Sequence, residues 1–186
     1  MSTADILDEA RARMEKTEKA LLHEFTTVRT GRASGTVLEK ISIDYYGTQT
    51  PVSQIAGIKT PAAQMLVIEP WDKSALAAIE KAIMASDLGI TPNNDGSVIR
   101  LPFPPLTEER RRDLVKVCKN YSEDARVGIR NVRREANAKL VRAEKDAEIS
   151  EDELRRGEAE IQKLTDTRIK DIDESLKRKE AEIMAV

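Results

Sequence analysis

The residues with the clearest chemical bias lie between Thr107 and Asp146. Plotted at 100° per residue, Arg112, Lys116, Lys119, Glu123, Arg126, Arg130, Arg133 and Asn137 fall along one line of a helix, spaced alternately by four and three. From Arg110 to Arg134 there are nine Lys or Arg against three acids, Asp113, Glu123 and Asp124. Like charges three or four positions apart weaken a helix by about 0.2–0.5 kcal/mol a pair, so a helix needing only solubility would alternate its signs. The preference for Arg favours planar, forked contacts to phosphate and stacking on bases. The chemistry implied is binding of a phosphate-bearing partner by Arg126, Arg130, Arg133 and their neighbours Arg134 and Lys119. A merely solvated charged face is the competing reading of the same residues.

Covalent chemistry finds no comparable support. There is no Gly-rich phosphate loop ending in Lys-Ser or Lys-Thr, no Gly-x-Ser-x-Gly and no Cys/His pair. His23, the only histidine, has no Cys or second His nearby to share a metal, and reads as a surface or seam residue. The single Cys118 lies on the apolar side of its helix, excludes an internal disulfide and fits a reducing compartment. Asp44, Glu69, Asp72 and Asp87 come with no base or nucleophile at a productive spacing, and Asp72 is more simply a helix cap. Trp71 and Tyr46 read as structural or interface residues. The expectation is a protein that is not an enzyme, with no catalytic residue, cofactor or metal.

The elements that must position the basic stripe follow from pattern. Thr107 caps a helix of about 40 residues, roughly 60 Å long, whose opposite side carries Leu114, Val117, Cys118, Tyr121, Ala125, Gly128, Val132, Ala136 and Ala143. An earlier helix starts at a cap on Ser2, with Asp5 three residues on, and shows a seam of Leu7, Ala10, Met14, Leu21, Phe25 and Val28. A last helix follows the capping-box pattern Ser150 and Glu153, with Leu154, Ile161, Leu164, Ile172, Leu176 and Ile183 as its seam. Three long amphipathic helices, with a short connection near Ile149 and a linker returning near Pro105, suggest an antiparallel three-helix bundle. Ala125, Gly128 and Ala136 would allow close approach at its middle. Aromatics at 3% and charged residues at 34% suit such narrow seams, and the net charge of −2 conceals the local basic stretch.

Between residues 30 and 105 the pattern changes. Ile41, Ile43 and Tyr45 alternate with polar residues before Tyr46-Gly47-Thr48, a strand and turn. Val52 to Ile58 and Met65 to Glu69 read as strands, Asp72 as the cap of a helix with Leu76, Ile79, Ala82 and Ile83 on one face, and 90–100 as a hairpin broken at Asn93-Asn94-Asp95-Gly96. Gly31 and Gly35 mark one linker, Pro102, Pro104 and Pro105 the other. The fold class is therefore α+β: residues 1–29 and 106–186 form the bundle, discontinuous in sequence, and 30–105 an inserted domain, with hinge linkers near 30–35 and 102–106. No secretory leader or membrane span opens the chain, which points to the cytoplasm.

Arg29-Thr30-Gly31-Arg32-Ala33-Ser34, Tyr45-Tyr46-Gly47, Glu80 to Gly89, Ile99-Arg100, Pro105 to Arg111 and Arg130-Asn131-Val132-Arg133-Arg134 together resemble the bacterial ribosome recycling factors, over essentially the whole chain. The resemblance implies an L-shaped, tRNA-like molecule in which a βαβ-type domain hinges on a three-helix bundle. It implies a role in splitting the post-termination ribosome into subunits with elongation factor G and GTP. It places Arg130 and Arg133 on large-subunit RNA, and Arg29 and Arg32 at further family arginines near the hinge. Gly35 stands where the family often has Pro, which bears on hinge stiffness. The alternative is a helical coiled-coil adaptor with an RNA-binding face. That reading expects self-association, whereas the family implies a monomer.

Overall fold

The computed structural model describes residues 1–185. Among them the chain forms two compact units, Met1–Phe25 with Lys116–Ala181, and Thr26–Val115 with the C-terminal residues from Glu182.

The first unit is built from three helices, α1 (Thr3–Thr27), α3 (Glu108–Lys145) and α4 (Glu151–Met184), each of which runs on into the other unit at one end. Each cap expected of these three helices is made, whereas Asp72 caps the 3₁₀ turn Lys73–Ala75 and not the α-helix from Leu76 that follows it. Ser2 and Asp5 exchange backbone and side-chain hydrogen bonds at 3.0 and 3.2 Å, Ser150 and Glu153 do the same at 2.7 and 3.2 Å, and Thr107 Oγ1 accepts from the Arg110 N–H at 3.1 Å. Lys139 reaches Glu9 and Arg13 reaches Glu135, so α1 and α3 run antiparallel. Arg126 meets Asp173 while Gly157 packs on Leu140, so α4 is antiparallel to α3 in turn. This is the up-down-up bundle that the three seams require.

The seam of α3 is cleaner than the sequence reading. The buried line is Leu114, Cys118, Ser122, Ala125, Ile129, Val132, Ala136, Leu140 and Ala143, each step being three or four residues. Val117, expected on it, is 36% exposed, because it lies one residue off that line, and Ile129 and Leu140, at 0%, take the central positions instead. On α4 the centre is Gly157, Ile161, Thr165, Ile172 and Leu176, leaving Leu154 and Leu164 half-buried at the edges. In α1, Ile6 is buried and Leu7 half-buried.

The second unit holds β1 (Ser42–Tyr45), β2 (Thr48–Pro51), β3 (Ala56–Ala62), β4 (Met65–Pro70), α2 (Leu76–Ala85), β5 (Asn93–Asn94) and β6 (Ile99–Pro102). β1 and β2 pair as a hairpin whose turn puts Tyr46 at φ 51° and Gly47 at φ 82°, both left-handed as a two-residue hairpin turn demands. The other strands form one sheet in the order β3-β4-β6-β5. A helix does follow a strand and precede another, yet every pairing is antiparallel, so β4 and β6 are direct neighbours rather than a parallel crossover pair. Leu66 and Ile68 of β4, Ile99 and Leu101 of β6, and Ile79 and Ile83 of α2 are fully buried in its core. The strand read over Val52 to Ile58 is corrected. Val52–Gln54 is a 3₁₀ turn pinned by fully buried Val52, whose N–H donates to Ile41 O at 3.0 Å, and β3 begins only at Ala56. Likewise Asn93–Asn94 pairs with β6, so the hairpin turns at 95–98, where Asp95 accepts the Ser97 and Val98 N–H groups at 2.9 Å.

Candidate nucleic-acid interface

The basic residues of α3 stand beside the seam, and their availability differs. Arg126 is the most enclosed, its side chain 18% exposed, with Nε and Nη2 donating to Asp173 Oδ1 at 2.8 and 2.6 Å and Nη1 to Glu123 Oε2 at 3.1 Å. Burial works against its charge, but the hydrogen bonds to Asp173 and Glu123 outweigh it and hold the pKa above the ordinary value. Arg130 is 42% exposed and shares the same Glu123, through Oε1 at 3.3 Å. Arg133 Nη1 donates to Gln162 Oε1 at 3.3 Å, and Gln162 is itself held by Asp166 at 2.8 Å. Arg134 is exposed and donates to Asn131 one turn back, at 3.2 Å. Lys119, 62% exposed, lies 3.8 Å from Glu180 Oε1. Half-buried Arg130 and Arg133 and exposed Arg134 and Lys119 thus have light, replaceable partners. Arg126 is a tie between α3 and α4.

Sequence reasoning missed the partners. Asp173, Gln162 and Glu180 all lie on α4 and each meets a different basic residue of α3. Their spacing along α4 is not a motif. The signal available was the opposite charge bias of the last helix, which has more acids than bases where α3 has the reverse.

The other arginines expected at the site belong to the second unit. Arg29 is only 7% exposed. Its Nη2 donates to the Pro104 carbonyl, its guanidinium carbon sits 5.3 Å from the centre of the Phe103 ring, and burial, followed by the nearby charge of Arg110, lowers its pKa. It ties the incoming connection to the outgoing one. Arg32 is exposed. Of the hinge candidates, Gly31 has open space around it, whereas a Cβ on Gly35 would come within 3.1 Å of Ile58 Cγ2, and neither glycine has a left-handed φ. Pro102 closes β6 opposite Met65, and the Phe103 N–H donates to Gln64 O at 2.7 Å, so sheet pairing continues to Phe103 and Pro104 and Pro105 begin the free connection. Among the described residues, no cluster of three or more His, Cys, Asp or Glu could hold a metal ion, and no helix is long and apolar enough to cross a membrane.

A stripe of arginines with light partners on a long bundle helix has the chemistry to take a polyanion. The sequence model of the family described as ribosome recycling factor matches residues 21–184. The ribosome-recycling factor of Carboxydothermus hydrogenoformans is 59% identical over 182 residues, covering 98% of each chain. That of Bacillus licheniformis is 54% identical over 186 residues, the whole of both chains. A solution structure of the ribosome recycling factor aligns with a TM-score of 0.73 at 43% identity, covering 100% of this chain and 99% of its own. The T. thermophilus ribosome recycling factor, in models with E. coli elongation factor G bound to the E. coli post-termination complex, aligns with a TM-score of 0.65 at 45% identity over all of both chains. Likeness of this degree, running through both helical and sheet elements from end to end, means that the chain belongs to the ribosome recycling factor family.

Proposed function

We propose that this protein binds the post-termination ribosome at its large subunit and, with elongation factor G and GTP, promotes dissociation into subunits that re-enter translation. The observation that carries the reading is the row of solvent-facing Arg130, Arg133 and Arg134 on α3, in a chain similar over its whole length to ribosome recycling factors. These arginines and Lys119 take ribosomal RNA phosphates, with Arg126 holding α3 on α4 behind them. Arg32 forms a second locus near the connections, and Arg29 supports it by clasping Pro104 and Phe103. The functional domains are residues 1–29 with 106–186, and 30–105. The connections at Gly31 and Gly35, and from Pro102 through Pro104 and Pro105, act as the hinge through which the GTPase moves the inserted domain. The protein supplies a lever and its partner the nucleotide energy. It works as a cytoplasmic monomer without a catalytic residue or cofactor of its own.

Co-sedimentation with purified large subunits across a salt series tests this. Neutralising four to six phosphates gives a log–log slope of roughly −3 to −5. Arg130→Ala with Arg133→Ala should abolish saturable binding while leaving helical content intact, since both side chains reach solvent. Equal binding by wild type and the double variant would mean that the RNA face lies elsewhere.

A further inference from the structure

Glu123 is the one acid on the basic line of α3, and its position is peculiar. Its two carboxylate oxygens serve different arginines, Oε2 accepting from Arg126 Nη1 at 3.1 Å and Oε1 from Arg130 Nη1 at 3.3 Å. The fold has little use for this bridge. Glu123 is 56% exposed, Arg126 is already fixed by two hydrogen bonds to Asp173, and exposed ion pairs add little stability. Its consequence therefore falls on whatever binds Arg130.

We propose that Glu123 is the residue that makes the basic face of α3 discriminate between loose RNA and a structured RNA surface. This rests on the reading of that face as the RNA-binding one. RNA held by charge alone gains from Arg130 and loses to the adjacent carboxylate, so the two nearly cancel. A rigid RNA surface that also engages Arg133, Arg134 and Lys119 draws Arg130 onto its phosphate from a fixed direction, while Glu123 keeps Arg126 as its partner. Glu123 acts through the arginines and is a positioning residue, suppressing binding to the many non-cognate phosphates a ribosome-binding protein meets.

The test compares wild type, Glu123→Gln and the Arg130→Ala/Arg133→Ala variant for binding to poly(U) RNA and to purified large ribosomal subunits across a salt series. Glu123→Gln keeps the side chain's shape and leaves Arg126 on Asp173, so its circular dichroism should match wild type. The expected result is poly(U) binding tightened about three- to five-fold, the effect of one screened surface charge, with a salt slope steeper by about one. Large-subunit affinity should rise less than about twofold over the same range. Unchanged or weaker poly(U) binding, or an equal rise for both ligands, overturns the proposal. If the Arg130/Arg133 variant still binds large subunits like wild type, the reading of the face itself fails, and that outcome is separate from any effect at Glu123.

Discussion

Of the two glycines in the bundle helices, Gly157 of α4 has the tighter surroundings, and it makes a quantitative prediction. A Cβ built there would sit 3.0 Å from both Leu140 methyl carbons and 3.2 Å from Thr3 Cγ2. Leu140 is fully buried, and with both of its branches in contact, rotating one methyl away brings the other in. Gly→Ala inside a helix normally gains about 1 kcal/mol in propensity, whereas overpacking a closed core site costs about 1–3 kcal/mol. The net expectation for Gly157→Ala is a loss of about 1 kcal/mol. Gly128 of α3 is the natural control, because its Cβ would meet Thr17 alone, at 3.2 Å from Cγ2, and Thr17 is half-buried and held by one hydrogen bond to Arg13 O at 3.0 Å, a lighter constraint than the closed site around Leu140. Gly128→Ala should be neutral or gain up to about 1 kcal/mol. The same chemical change thus gives opposite signs on facing helices, a gap of about 1–2 kcal/mol. For a chain of this size that is about 2–8 °C in Tm. Urea unfolding followed by circular dichroism, which the three long helices dominate, reports the bundle, and hydrogen exchange of the β4 and β6 amides reports the other unit. Both variants should shift the first signal with little change in the second. If Gly157→Ala is as stable as Gly128→Ala, the close packing of α4 on Leu140 is not a stability determinant and the argument fails.

Four further perturbations probe other links. Ala147 sits at φ 55° just past α3, where L side chains are strained, so Ala147→Gly should raise the helix melting temperature by the equivalent of about 1 kcal/mol. Arg168 and Glu18 form a half-buried pair at 2.6 Å between α4 and α1, so Glu18→Gln should lose about 1–2 kcal/mol and a cycle with Arg168→Met should show positive coupling; additive effects would refute the pairing. Arg29→Lys, which removes the flat group over Phe103, should destabilise the sheet unit by about 1–2 kcal/mol as read by hydrogen exchange of the β4 and β6 amides, and unchanged protection would count against the clasp. Asp95, held at a pKa of about 2 by the backbone N–H groups of Val98 and Ser97 and by Arg100, is depressed below the ordinary 3.8. Its stabilisation is therefore complete above pH about 4 and lost as pH falls towards 2, so the stability difference between wild type and Asp95→Asn should close across that window.

The backbone plan was legible because it rests on short-range rules. Caps at Ser2, Thr107 and Ser150 are local hydrogen bonds, and a capping box can be recognised from two residues three apart. What escaped was anything set by a second element. Val117 and Ile129 are equally apolar in the sequence, and only the placement of the neighbouring helices decides that the first is exposed and the second fully buried. Val52 failed as a strand residue because its burial under Ile41 pulls the backbone into a turn, a long-range demand that overrides its β-branched preference. Gly157 carried no signal as a contact point, since the chain gives the glycine but not the leucine that presses on it.

The site shows the same division in its chemistry. Periodicity found the line of basic residues, but treated Arg126 and Arg130 alike, although one is 18% exposed and the other 42%. The difference comes from Asp173, forty-seven residues away in sequence, which takes two of the Arg126 donors. It also accounts for how a stripe of like charges survives on a helix that bears its repulsion. Asp173, Gln162 and Glu180 of α4 stand against Arg126, Arg133 and Lys119, so the acidic bias of the last helix offsets the basic bias of α3 across their interface. The offset is strongest where Arg126 is enclosed and weakest at Arg134, which among the described residues donates to Asn131 of its own helix. Charge left uncompensated is thus concentrated on the solvent side, and a net charge of −2 for the whole chain is compatible with a locally basic helix face.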